Sequence, residues 1–131
     1  MLFGSHVRVL VVDDEETICR ALSIALRRAG FEVSAAESGE GAHSLLRAEH
    51  FDALVVDLRI PDLRGDVLFE LAASIQPHLR ARTIFMTGDI SERAQELVAA
   101  CNCPVLAKPF DLGDLAAMLG NLTRVARDVS A

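Results

Sequence analysis

In Arg8-Val9-Leu10-Val11-Val12-Asp13-Asp14-Glu15-Glu16 a short apolar run passes directly into four consecutive acids. Aliphatic residues without polar alternation suit a strand buried on both faces, as in a parallel sheet covered by helices. The acids cannot continue such a strand. They open instead an amphipathic stretch from Glu15 to Ala29, in which Ile18, Leu22, Ala25, Leu26 and Ala29 recur at three- and four-residue steps and Gly30 supplies a C-terminal stop. The unit is therefore one strand followed by one helix.

The same unit is expected five times. Strands are predicted over Arg8–Val12, Glu32–Ala35, Ala53–Val56, Thr83–Met86 and Pro104–Ala107, all taken as buried on both faces. Ser38 is the expected N-cap of a second helix, to about Ala48, with Ala42, Leu45 and Leu46 inward. A third helix, from about Asp66 to Ile75, turns Val67, Leu68, Leu71 and Ile75 inward and stops before Pro77. Ser91 caps the fourth, to about Ala100, and Asp111 caps the fifth, where Leu112, Leu115, Leu119 and Leu122 form one stripe. Right-handed crossovers place these helices on both faces of one sheet, and periodicity leaves the strand order open.

Composition bounds the function. The chain has 131 residues, 51% hydrophobic and 24% charged, which makes one globular domain and excludes two full ones. The apolar runs Val9–Val12 and Ala53–Val56 are four residues long, against roughly 20 for a bilayer span. The first six residues lack the basic head and apolar stretch of a signal peptide, so the expected location is cytoplasmic. Residues 1–6 are expected to be an extension or tag remnant, 7–126 the domain and 127–131 a tail. Cys19, Cys101 and Cys103 complete no zinc spacing and are read as reduced thiols. A net charge of −6 argues against direct nucleic-acid binding, and Arg27-Arg28 reads as a solvated helix end.

In an open α/β sheet ligands bind beyond the carboxyl ends of the strands. There the first strand runs into Asp13-Asp14, the third into Asp57, the fourth into Thr87-Gly88 and the fifth into Lys108-Pro109. Crowded carboxylates raise one another's pKa unless a cation neutralises them, and hard oxygen ligands of this kind suit Mg²⁺ or Mn²⁺. Lys108 and Thr87 are then available to hold anionic oxygens, as at a phosphoryl group beside a metal. Singly each residue reads as a cap or turn residue; acid, acid, hydroxyl and ammonium at four strand ends do not.

These residues resemble the receiver domains of two-component response regulators, through Val9-Leu10-Val11-Val12-Asp13-Asp14-Glu15, Asp57-Leu58-Arg59-Ile60-Pro61-Asp62-Leu63-Arg64-Gly65, Thr87-Gly88 and Lys108-Pro109-Phe110. The resemblance spans about Val7 to Leu122. It implies a flavodoxin-like, doubly wound (βα)5 fold with a parallel sheet of order 2-1-3-4-5. It further implies that Asp57 accepts a phosphoryl group from a histidine kinase or a histidine phosphotransfer domain. By the same resemblance Asp14 binds Mg²⁺ directly, Asp13 mainly through water, and the backbone carbonyl of Arg59 completes the ligands. Thr87 and Lys108 then contact phosphoryl oxygens, the Lys108–Pro109 peptide is cis, and a homodimer through the fourth and fifth helices is an expected partner state. The segments from Arg82 to Asp89 and from Pro104 to Leu112 look most like receivers joined to hybrid histidine kinases.

Three positions depart from or refine that pattern. Receivers commonly carry Tyr or Phe three residues before the Lys, where this chain has Val105. Arg59 and Asp89 lie two residues beyond Asp57 and Thr87 and are expected to be largely exposed charges facing each other across the mouth. A phosphohydrolase of the haloacid dehalogenase type would need an Asp as general acid at position 59, which is Arg. A flavin module would place a phosphate against Asp13-Asp14-Glu15-Glu16, which would repel it.

Overall fold

The computed structural model of the chain describes residues 6–89 and 91–130, the side chains at 125–130 excepted. Strands β1 Arg8–Val12, β2 Glu32–Ala36, β3 Ala53–Asp57, β4 Thr83–Thr87 and β5 Val105–Ala107 alternate with helices α1 Glu16–Arg28, α2 Gly39–Ala48, α3 Gly65–Ile75, α4 Glu92–Cys101 and α5 Leu112–Ser130. All strand pairs are parallel and the order is β2-β1-β3-β4-β5. This is the doubly wound arrangement expected above. The N-terminal extension at 1–5 lies outside the described residues, and α5 runs on across 127–130, the expected tail.

Burial on both faces holds for the inner strands only. Val9–Val12, β3 and β4 are buried throughout, whereas β2 and β5 keep exposed positions at Glu32, Ala35, Val105 and Ala107. The cause is topological: β2 and β5 are the two edges, each with a neighbour on one side. Side chains of the inner strands alternate between two cores. Leu10, Val12, Leu54, Val56 and Phe85 pack against α2, α3 and α4, and Val9, Val11, Ala53, Val55, Ile84 and Met86 against α1 and α5.

The helix ends follow from local chemistry. Ser38 Oγ accepts from the Gly41 N–H at 3.0 Å, Ser91 Oγ from Ala94 at 3.2 Å and Asp111 Oδ1 from Gly113 at 2.6 Å. Gly30, at φ 99°, leaves α1 in a conformation that a side chain would oppose. Pro77 ends α3 as expected but also starts a 3-10 turn, Pro77–Ala81, which seats the fully buried Leu79. Val67 is not inward: it is 43% exposed, because Leu68, Phe69 and Ala72 already occupy the inner face of α3.

Candidate functional site

Three strand ends converge at one point. Lys108 Nζ donates to Asp57 Oδ2 at 2.6 Å and to Asp13 Oδ2 at 2.7 Å, and Glu15 lies further off at 3.9 Å. Register brings this about: Val12 pairs with Val56, Asp57 with Met86 and Thr87 with Ala107, so the residues that follow emerge on one rim. The Lys108 N–H bonds the Thr87 carbonyl at 2.7 Å, and the Lys108–Pro109 peptide is cis. Asp13 and Asp57 are buried, Asp14 is exposed, and Thr87 is buried at the neighbouring strand end.

Backbone donors fix the carboxylates. Arg59 N–H reaches Asp57 Oδ1 at 2.9 Å, and Glu15 N–H reaches Asp13 Oδ1 at 2.9 Å. Each acid thus has one oxygen on a backbone N–H and the other on Lys108. The loop after Asp57 is held close by Gly65, where an added Cβ would stand 2.4 Å from the Asp57 carbonyl oxygen. The far end of that loop is tied down by Asp62, whose two oxygens accept from the N–H groups of Gly39 and Glu40 at the start of α2, at 2.8 and 3.0 Å.

Burial pushes the Asp57 carboxyl above the ordinary carboxylate range, and the hydrogen bonds from Lys108 and the Arg59 N–H only partly oppose it. Burial pulls the other way on Lys108, but its hydrogen bonds to Asp13 and Asp57 win and hold the ammonium above the usual lysine value. A cation locked between two carboxylates is the state that results. Beside it, the Cys19 thiol donates to the Asp13 carbonyl at 3.1 Å, and burial followed by the Asp13 charge pushes that thiol up to about 11.

The mouth of the cleft, of about 490 Å³, is lined by Asp14, Asp57, Arg59, Gly88, Asp89 and Lys108 among others. Arg59 Nε donates to Asp89 Oδ2 at 2.8 Å, and a second guanidinium N–H reaches the same oxygen. The Arg59 side chain is 73% exposed but that of Asp89 only 15%, so the expected exposure of both is corrected for Asp89. The cause is the turn: Asp89 N–H bonds Thr87 Oγ1 at 2.9 Å and Asp89 Oδ1 accepts from the Ser91 N–H at 2.8 Å, folding the carboxylate inward. The Ser91 N–H first, then Arg59, lower the Asp89 carboxyl to about 2. The Thr87 hydroxyl therefore faces its own loop.

Asp13, Asp14 and Asp57 each offer a carboxylate oxygen, and the three atoms lie within 4.8 Å of one another. Two are buried and one is exposed, all are hard donors, and this set fits Mg²⁺ or Mn²⁺. The structure brings Asp13, Asp57 and Lys108 into contact with Asp14 beside them, and leaves Thr87 at the neighbouring strand end with its hydroxyl bonded within its own loop. Sequence reasoning missed the bridging of Asp13 to Asp57 by Lys108, the thiol behind Asp13 and the tie from Asp62 to α2. Pro61-Asp62 signals a turn but not its target.

Comparison with known proteins agrees with this geometry. The family model described as the response regulator receiver domain matches residues 9–120. The response regulator receiver protein CpdR of Brucella abortus is 33% identical over 109 residues, covering 82% of this chain and 89% of CpdR. The probable transcriptional regulatory protein TcrX of Mycobacterium tuberculosis is 32% identical over 122 residues, 92% of this chain but 51% of TcrX, so the chain spans about half of that relative. A receiver domain structure from Methanospirillum hungatei superposes with a TM-score of 0.86 at 24% identity, covering 93% of this chain and 97% of that one. A response regulator from Burkholderia pseudomallei, solved with a phosphorylated aspartic acid, calcium ion and citrate, gives a TM-score of 0.78 at 27% identity, covering 95% and 73%. Among the described residues no helix is long and apolar enough to cross a membrane.

Proposed function

The chain belongs to the response regulator receiver domain family, and on that footing we propose that Asp57 is the phosphoacceptor of a His-Asp phosphorelay. The observation that carries the reading is the ammonium of Lys108 held between two buried carboxylates, Asp57 and Asp13. A carboxylate oxygen of Asp57 attacks the phosphorus of a phosphohistidine, the phosphorus–nitrogen bond breaks, and the imidazole leaves with the electron pair and takes up a proton. Charge then moves from the carboxylate to the phosphoryl oxygens. Lys108 follows it without leaving the site, and Thr87 supplies a hydroxyl once it turns from Asp89. Asp14, Asp13, Asp57 and the Arg59 carbonyl would hold Mg²⁺, which when bound neutralises phosphoryl charge. Arg59 N–H holds Oδ1 of the carboxylate in the meantime.

The donor is a histidine kinase or histidine phosphotransfer domain. Supporting this, an apolar cleft of about 460 Å³, lined by Ile18, Ala21, Pro109 and Phe110, adjoins the site through Lys108 and offers a landing surface beside the acceptor. The domain is a signalling module that catalyses its own phosphoryl transfer and dephosphorylation. Three free cysteines suit the reducing cytoplasm. A homodimer through α4 and α5 belongs to the same proposal, and sedimentation with and without beryllofluoride tests it.

Incubation with Mg²⁺ and acetyl phosphate is expected to add one phosphoryl group, at Asp57. Intact-mass spectrometry of Asp57→Asn should show none, and equal labelling of both proteins would give the acceptor role to another residue. In a metal titration Asp14→Asn should weaken Mg²⁺ binding more than Asp13→Asn, whose partner Lys108 already balances its charge.

A further inference from the structure

A second groove, of about 530 Å³, lies between the loop after β3 and the first turns of α4 and shares Asp14, Arg59 and Asp89 with the acceptor cleft. Its floor is apolar, formed by Ile60, Pro61, Ala94 and Leu97. Its charged lining is three guanidiniums, Arg59, Arg64 and Arg93, against two carboxylates, Asp14 and Asp89, although the chain as a whole carries −6.

Of the two carboxylates only Asp89 is engaged, and Asp14 lies at the end of the groove that opens on the acceptor cleft. Asp89 is taken by Arg59 and the Ser91 N–H, and Asp14 is one of the three clustered acids of the cleft. Arg64 pairs with Asp66 at 2.5 Å and still leaves its side chain 46% exposed. Arg93 is exposed and has no ion-pair partner among the described residues. The groove therefore presents an apolar floor beside an unpaired, always-charged donor with a planar face of N–H groups, the arrangement that accepts a carboxylate two-pronged.

We infer that this groove docks an acidic, amphipathic peptide segment of a partner protein, seating an apolar side chain on Pro61, Ala94 and Leu97 and a carboxylate on Arg93. Charge complementarity selects the occupant: a basic segment would meet Arg93 head-on, and a purely apolar one would leave Arg93 without a partner at the edge of the groove. The inference goes beyond the phosphoacceptor reading and does not need it. It adds one consequence where the two meet, since a segment lying over Arg59 and Asp89 covers the mouth of the cleft and shields Asp57 from water.

Selection of a random linear peptide library on the unphosphorylated full chain tests the docking claim. Expected are sequences pairing Asp or Glu with an aliphatic or aromatic residue, whose amide shift changes map to 60–64 and 91–97. Arg93→Glu touches no core contact and should keep the wild-type fold by circular dichroism while weakening those peptides by about tenfold or more. No enrichment, basic sequences, equal binding to Arg93→Glu, or mapping elsewhere overturns the proposal. Concentration-dependent self-association abolished by Arg93→Glu, with no peptide enriched, would overturn it in favour of a second copy. Failure of acetyl phosphate labelling at Asp57 would sink the acceptor reading and leave these outcomes untouched.

Discussion

The guanidinium of Arg59 and the carboxylate of Asp89 meet across the mouth of the Asp57 cleft, with Nε 2.8 Å from Oδ2, so that two residues from different strand ends form one barrier. On the proposed reading, this pair borders the approach of water to a phosphoryl group on Asp57. Arg59→Ala and Asp89→Ala should each change the dephosphorylation rate several-fold, and the double variant should fall short of the product of the two effects, as coupled neighbours do. Strictly multiplicative rates in saturating Mg²⁺ would mean that the residues act independently.

Gly65 has no room for a methyl group. Its Cβ would stand 2.4 Å from the Asp57 carbonyl oxygen and 2.7 Å from Leu58 Cα, both backbone atoms that cannot step aside. Gly65→Ala should lower stability by about 1–3 kcal/mol and slow acetyl phosphate labelling by displacing the peptide that carries the acceptor. Gly88→Ala, with nothing within 4 Å of the added carbon, is the control and should leave thermal stability nearly unchanged.

Asp62 links acidity to the acceptor loop. The N–H groups of Gly39 and then Glu40 hold its carboxyl below the ordinary value of 3.8, so the unfolded chain takes up the proton before the folded one. Its contribution is complete above the ordinary value and disappears as pH falls through the lowered one. Asp62→Asn should melt below wild type by a constant margin above about pH 5, and the margin should shrink on acidification. A margin that instead grew below pH 4 would show that the charge opposes folding.

Thr87 must redirect its hydroxyl to meet a phosphoryl oxygen, because its O–H donates to the Asp89 carbonyl at 3.3 Å while Oγ1 accepts from the Asp89 N–H. Beryllofluoride with Mg²⁺ should therefore move amide resonances from 88 to 92 and along the first turn of α4. Val105, 45% exposed and bounding a groove of about 380 Å³, offers neither ring nor hydroxyl and should respond only through its neighbours. Large shifts confined to Val105, with 88–92 silent, would reverse this assignment.

The βα alternation was legible because β1, β3 and β4 are buried on both faces and write that burial as aliphatic runs. The same rule failed at β5, since an apolar edge strand reads like an inner one until the order is known, and at β2, where Glu32 and Ser34 already interrupt the apolar run. Val67 was misread for a related reason: three neighbouring positions of α3 are apolar, and periodicity does not say which of them faces the sheet. At the site, residue types at strand ends pointed to Asp13, Asp14, Asp57, Thr87 and Lys108. Which oxygen each ammonium or N–H serves, and the folding inward of Asp89 by the Ser91 N–H, depend on turn geometry that residue types do not record.

Lys108 is 51 residues from one carboxylate it bridges and 95 from the other. On a chain emerging amino end first, Asp13 and Asp57 leave the ribosome long before the ammonium that balances them. Until the last strand joins the sheet, Asp13 and Asp57 have no ammonium between them. If Asp57 is the acceptor proposed above, competence arrives with the final strand, and a chain truncated before Lys108 is expected to stay unlabelled by acetyl phosphate although Asp57 is present.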